Sequence, residues 1–158
     1  MDISPHQAYR AKVIAKDALE GAEAKQYENL YHYAKTIREK YDGSCVKILG
    51  EAFQEGGLAH FKRMYVRYHA QKAGFLAGCR PIIGLDACHL KGRFGGQLIA
   101  AIARDGNNNM FPLAIAIVEQ ENKESWAWFM ECFIEDFGNP RELGLVFVSD
   151  RQKVCFLC

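Results

Sequence analysis

The chain has 158 residues, of which 49% are hydrophobic and 25% charged, and its formal net charge is +1. This balance is typical of one soluble globular domain, with or without a helical appendage, and it excludes a largely disordered chain. No apolar run reaches the roughly 18 residues of a membrane span, so we expect no membrane partner. The N-terminus lacks the basic and apolar regions of a secretory signal, which predicts a reducing compartment.

The six cysteines have no disulfide-scaffold spacing and are expected to be free thiols. Cys155 and Cys158 alone have the spacing of a metal-ligand pair, but the sequence holds no second half of such a site. Two interpretations of this pair therefore stay open: the cysteines bind a metal ion, or their spacing has no functional meaning.

Two helices are predicted for residues 1–50. Ser4, Pro5 and Gln7 have the pattern of a capped helix start, and Gly21 is placed to end that helix. A second amphipathic stripe, with spacings of three and four, runs from Tyr27 to Tyr41. The expected product is a helical hairpin before the main domain.

Residues 51–80 carry five basic and two acidic residues, and we interpret them as a basic helical connector with a third helix from Leu58 to Ala73. The residues from Cys45 to Leu49, just before this connector, are compatible with a short strand. Aromatic residues interleaved with Lys62, Arg63 and Arg67 are compatible with nucleic-acid binding through stacking and phosphate contacts. An ordinary amphipathic helix with a solvated basic face is the alternative.

The spacing of the apolar residues changes from a helical pattern to a strand pattern after Pro81. Residues 82–90, 97–104 and 110–119 have the pattern of three strands, and their short connections predict an antiparallel meander. Asn122 is placed to cap a helix whose apolar stripe runs from Trp126 to Phe137. The apolar run Leu145 to Val148 then fits a buried parallel strand, which we place on the free side of the first strand.

Two aspartates interrupt these apolar strands. Asp86 lies five residues after Pro81 and Asp150 five residues after Leu145, so strand counting puts them side by side. Adjacent strands are about 4.8 Å apart, and two carboxylates at one level can share a divalent cation. Hard oxygen ligands favour Mg²⁺ or Mn²⁺, and such sites perform phosphoryl transfer on phosphodiesters. Asp150 could instead simply begin a helix.

Two strings, "LDACHLKG" (residues 85–92) and "SDRQK" (residues 149–153), carry a resemblance. With the residues between them they resemble the catalytic region of plant Mutator-like (MULE) DNA transposases over residues 79–153. The preceding segment is similar to the helical region that comes before that domain in the family.

The resemblance implies a ribonuclease H-like fold with a metal triad of the DDE type, in which the first two acids fall on Asp86 and Asp150. It implies Mg²⁺ or Mn²⁺ as cofactor, transposon terminal inverted repeats as the DNA partner, and a nuclear location. Lys91 and Arg93, beside the first motif, join the candidate phosphate contacts. Period-two counting puts His89 on the strand face opposite Asp86, so we expect a packing or surface role for it.

The chain departs from the family after "SDRQK". Family members continue with a helix, an inserted Cys/His segment and a later helix that carries the third acid, a glutamate. We therefore expect residues 81–158 to be an incomplete domain, with little strand-transfer activity and apolar surface exposed near the fourth strand. That surface predicts self-association.

Three functions remain open at this stage. The first is a transposase fragment, and the second is a domesticated, transposase-derived regulator that binds DNA or partner proteins without cutting. An unrelated small α/β binding module is the third.

Overall fold

A computed structural model of the chain describes residues 4–19, 29–51, 60–91 and 95–150. The elements in chain order are α1 (Pro5–Leu19), α2 (Leu30–Lys40), β1 (Cys45–Glu51), β2 (His60–Arg67), α3 (His69–Gly78), β3 (Ile82–His89), β4 (Gln97–Arg104), β5 (Met110–Val118), α4 (Lys123–Phe137) and β6 (Val146–Val148). No helix in these ranges is both long and apolar enough to cross a bilayer.

The chain divides into two compact units, residues 1–33 and 34–158. In the first unit, α1 begins with the predicted reciprocal cap: Gln7 N–H donates to Ser4 Oγ, and Ser4 N–H donates to Gln7 Oε1. The predicted helix end at Gly21 lies outside the described residues, as does the start of the second predicted helix at Tyr27.

The second unit contains a six-stranded mixed sheet in the order β1-β2-β5-β4-β3-β6. Strands β3, β4 and β5 form the predicted antiparallel meander. Strand β6 pairs in parallel with the free side of β3, which confirms the predicted crossover. The architecture is therefore α/β, as expected from the alternation of strand and helix patterns.

Two strands were not part of the predicted meander. Strand β1 covers the short strand proposed from Cys45, and β2 pairs with both β1 and β5. The helix predicted from Leu58 to Ala73 is therefore wrong over residues 60–67. The sheet crosses both domain boundaries predicted at residues 50 and 80, because β1 and β2 belong to it.

Helix α4 covers one face of the sheet. Asn122 caps it as predicted, since its side chain accepts a hydrogen bond from Ser125 N–H at 2.8 Å. The buried members of its stripe are Trp126, Phe129, Met130, Phe133 and Phe137, whereas Ile134 is 40% exposed. These aromatic side chains pack on inward-facing residues such as Ile83, Leu85, Ile99 and Leu113 to form the core.

Candidate functional site

The β3–β6 register bears on the predicted pairing of Asp86 with Asp150. The β3–β6 ladder pairs Ile82 with Val146 and Gly84 with Val148. The same register continued by two residues sets Asp86 beside Asp150, just past the last paired residue of β6. Because side chains alternate along a strand, Asp86 belongs to the face that carries Gly84, and the same alternation continued past β6 would put Asp150 on that face.

This face is the one opposite α4. Ile83 and Leu85 are buried toward the core, with 0% and 4% exposure, while Asp86 between Leu85 and Ala87 is exposed. Asp150 is exposed as well. The strand pattern suggested acids interrupting buried strands, and that part of the reasoning is wrong, since neither carboxylate is buried.

Local hydrogen bonds help to set the backbone at both positions. Asp86 Oδ1 accepts a hydrogen bond from Ala87 N–H at 2.8 Å, and Ser149 Oγ donates one to the carbonyl oxygen of Asp150 at 3.2 Å. Strand β6 is held to α4 by Phe147, whose ring lies edge-on to that of Phe133 with 5.9 Å between centroids. The position of Asp150 therefore depends on helix packing one layer away.

A shallow depression of about 350 Å³ runs along the same face. Asp86 lines one part of it, and Arg80 and Arg104 line another. Its floor is apolar, with Ile82, Gly84, Ile102, Met110 and Val148 among the lining residues. The depression thus carries opposite charges along its length.

Arg63 does not lie on a solvated helix face. It is 1% exposed, and its guanidinium binds the carboxylates of Glu119 and Glu124. These hydrogen bonds and charges raise the pKa of Arg63, with Glu119 as the largest cause. The prediction of a phosphate contact at Arg63 is corrected, because two protein carboxylates already neutralise a buried group.

Arg67 is also buried, at 3% exposure, and forms an ion pair with Asp136 of α4. Its Nη1 donates to the carbonyl oxygen of Gly43 at 2.7 Å. Burial alone lowers the pKa of Arg67, but the hydrogen bond and charge of Asp136 outweigh it and raise the pKa overall. Arg67 is thus a structural residue, and its predicted DNA contact is corrected for the same reason.

The other candidate phosphate contacts have different environments. Lys62 Nζ lies 3.7 Å from Glu124 Oε1, so it belongs to the Arg63 cluster. Lys91 is exposed at the end of the segment that follows β3, and Arg93 lies outside the described residues. His89 pairs across the hairpin with Gln97, whose Nε2 lies 2.7 Å from His89 Nδ1, on the face predicted for it.

Glu119 and Asp136 were missed by the sequence reasoning. Both are acids at or near element ends, which usually face solvent, and no local signal links them to arginines more than 50 residues away. The available clue was the alternation of Arg63, Tyr65 and Arg67 in β2. In a strand, period two puts these three side chains on one face.

The ion pair at Glu119 gives a pH-dependent contribution to stability. Its hydrogen bond from Arg63 lowers the pKa of Glu119 below the ordinary value of 4.5. A lowered folded-state pKa stabilises the fold at pH values above 4.5, and this contribution is lost as the pH falls through the folded-state pKa. We expect Glu119→Gln to lower the free energy of unfolding at pH 7 by about 1 kcal/mol, since the carboxylate is partly screened.

Urea unfolding at pH 7 and pH 3 checks this expectation. The difference between wild type and Glu119→Gln should shrink at pH 3, because the stabilisation that comes from the lowered pKa of Glu119 declines once the pH is below 4.5, the ordinary value of the carboxyl in the unfolded chain. The exposed Glu131→Gln on α4 is the matched control and should change little at either pH. An equal loss in Glu119→Gln at both values would contradict the assignment.

Residues 82–156, just under half of the chain, match the family model of the MULE transposase domain. This region is similar to a MULE transposase domain. No curated protein and no solved structure matches the chain at a significant level. The MULE transposase domain indicates a transposase-like function, a divalent-metal-dependent family and DNA as partner.

Within the described ranges, no three His, Cys, Asp or Glu side chains form a group that could hold a metal ion. Asp86 and Asp150, both within the matched residues, stay the two candidate ligands predicted from the sequence.

Proposed function

We propose that this chain carries two of the three acids of a DDE-type DNA transposase with a ribonuclease H-like fold. The observation that supports the proposal is the parallel register of β3 and β6, which pairs Gly84 with Val148 and, continued by two residues, would set Asp86 beside Asp150. The match over residues 82–156 supplies the family context.

The chemistry of the two side chains fits Mg²⁺ or Mn²⁺. Both ions prefer carboxylate oxygens, and Mg²⁺ commonly keeps several waters while one or two carboxylates bind it. When bound, such an ion can activate an attacking oxygen and stabilise a leaving oxygen during phosphoryl transfer on DNA. Asp86 and Asp150 would hold the ion at the end of the depression, open to a phosphodiester.

The substrate that we propose is transposon terminal-inverted-repeat DNA, acted on in the nucleus. The exposed Lys91 is near enough in sequence to Asp86 to contact a flanking phosphate, and Arg93 is a second candidate beyond the described residues. Phosphate contacts of this kind position DNA without reading its sequence.

We expect Asp86 and Asp150 to support little strand transfer unless a third ligand joins them. Removing one well-placed charge-stabilising group costs roughly 10²–10³ in rate in other enzymes. The second candidate is a transposase-derived regulator that binds DNA without cutting it.

Metal binding tests the proposed site directly. We expect the chain to bind Mn²⁺ weakly, and Asp86→Asn or Asp150→Asn to weaken binding at least about tenfold, because each removes one of two charged ligands. Mn²⁺ titration followed by electron paramagnetic resonance of the free ion gives the affinity without any need for DNA cleavage.

Glu142→Gln, an exposed acid after α4, is the matched control for the loss of one negative charge. It should leave Mn²⁺ binding unchanged. Wild-type binding equal to that of the Asp86→Asn/Asp150→Asn double variant would rule out the site.

A further inference from the structure

The sheet face opposite α4 is rich in exposed apolar side chains. Ile82 is 49% exposed, Val146 and Val148 are each 54% exposed, and Met110 is 71% exposed. Ile82 and Val146 are paired neighbours in the β3–β6 ladder, so this part of the surface is continuous. Contiguous exposed apolar surface of this kind is characteristic of an interaction site.

The charges on this face are separated along the strands. Arg80 precedes β3 and Arg104 ends the antiparallel β4, so both lie at the end where β3 begins. Asp86 and Asp150 lie at the other end, four or more residues along β3, which is about 13 Å or more. Asp105 lies beside the arginines, where it accepts hydrogen bonds from Asn107 and Asn109 and its charge also acts on Arg80, so the arginine end carries two cations and one anion.

We propose that a second copy of this chain packs on this face in a two-fold symmetric dimer. The charge pattern selects the axis. A two-fold axis that lies between the sheets and runs across the strands sets the arginine end of one copy over the aspartate end of the other. An axis along the strands would instead oppose like charges, which is unfavourable.

The apolar middle of the face is compatible with this arrangement. An axis at the level between Ile82 and Gly84 brings Ile82 over Gly84 of the partner subunit, and Val146 over Val148 of the partner subunit. Gly84 has no side chain, and a Cβ built there would meet only the carbonyl oxygen of Ile102, at 3.6 Å. The space above Gly84 can therefore receive a branched side chain from the opposite sheet, as in face-to-face sheet packing.

The dimer has a consequence for metal binding, and this part rests on the proposed function. Arg80 and Arg104 of the partner subunit would neutralise Asp86 and Asp150, the same carboxylates that we propose to bind Mg²⁺ or Mn²⁺. Dimerisation and metal binding then oppose each other, and the coupling is reciprocal. The dimer would be the metal-free form of the chain.

Charge reversal with rescue tests the interface. Variant A is Arg80→Glu/Arg104→Glu, and variant B is Asp86→Lys/Asp150→Lys. Each alone should raise the dimer dissociation constant at least about tenfold, because both ends then oppose like charges. An equimolar mixture of A and B should recover the wild-type dissociation constant, since every end again meets its opposite charge.

Sedimentation velocity of the full chain at low salt measures these constants. The matched control is Lys123→Glu/Arg141→Glu, which reverses two exposed cations elsewhere and should dimerise as wild type does. Gly84→Gln adds a test that leaves every charge in place: a side chain at the axis should also weaken the dimer. A monomeric wild type, or a mixture of A and B that stays monomeric, would overturn the proposal.

Adding Mg²⁺ separates the dimer from the proposed metal site. If both are right, Mg²⁺ dissociates the wild-type dimer but leaves the A–B heterodimer, in which one copy lacks both aspartates, less affected. Rescue of the dimer without any effect of Mg²⁺ would support the interface and count against the competition.

Discussion

Replacing Asp136 with alanine is expected to destabilise the second unit by about 3–5 kcal/mol, because the substitution leaves the buried charge of Arg67 without a partner. The two side chains are only 5% and 4% exposed. Tyr65 Oη also donates to Asp136 Oδ2 at 3.1 Å, so a second buried group would lose its acceptor. Burial is the main reason that the pKa of Tyr65 is raised, with the charge of Asp136 adding to it.

Urea unfolding at pH 7 measures this loss, and a double-mutant cycle with Arg67→Met isolates the coupling between the two side chains. We expect the double variant to be more stable than Asp136→Ala alone, since no unpaired buried charge remains. Glu39→Ala is the matched control: its ion pair with Lys35 is 61% and 69% exposed and should contribute little. A loss in Asp136→Ala no larger than the control loss would show that the pair is not buried in solution.

The second large effect is expected from Phe133→Ala, which should cost about 3–5 kcal/mol through lost apolar burial and a residual cavity. Phe133 is 0% exposed and stacks on Phe137 with 4.3 Å between ring centroids. Phe147 of β6 packs edge-on against Phe133, so the substitution also removes a contact of the strand that leads to Asp150. We therefore expect β6 amide protons to exchange faster in this variant than those of β4.

Hydrogen exchange resolved by residue, together with urea unfolding, checks both parts. Ile134→Ala changes the next residue of the same helix, where the side chain is 40% exposed, and it should have a much smaller effect on both readouts. Uniformly faster exchange across all six strands would contradict a local role for Phe133 in holding β6.

The parallel pairing on which the proposed site depends could be predicted from the sequence. Counting along two strands predicts one level for Asp86 and Asp150, and the structure confirms the pairing of β3 with β6, because a crossover connection leaves few arrangements. The meander and the cap at Asn122 likewise depend on neighbouring residues, and the structure contains both. The exposure of the two aspartates could not be read from strand patterns, since it depends on which face α4 covers.

Strand β2 shows why local pattern was insufficient. Phe61, Met64, Tyr65 and Tyr68 recur at helical spacing, and nothing in residues 60–67 indicates that Glu119 and Asp136 will neutralise the two arginines. Pairing with β1 and β5 supplies the backbone hydrogen bonds that a helix would otherwise make for itself. Tertiary contacts of this range override local propensity.

The sequence by itself determined the order of elements from β3 to β6, because each element follows from periodicity over a few residues. Only the tertiary structure decided that Arg63 and Arg67 are internal ion-pair partners and that the aspartates lie on the open face. Those outcomes depend on groups that are distant in the chain, where desolvation and charge pairing act through space.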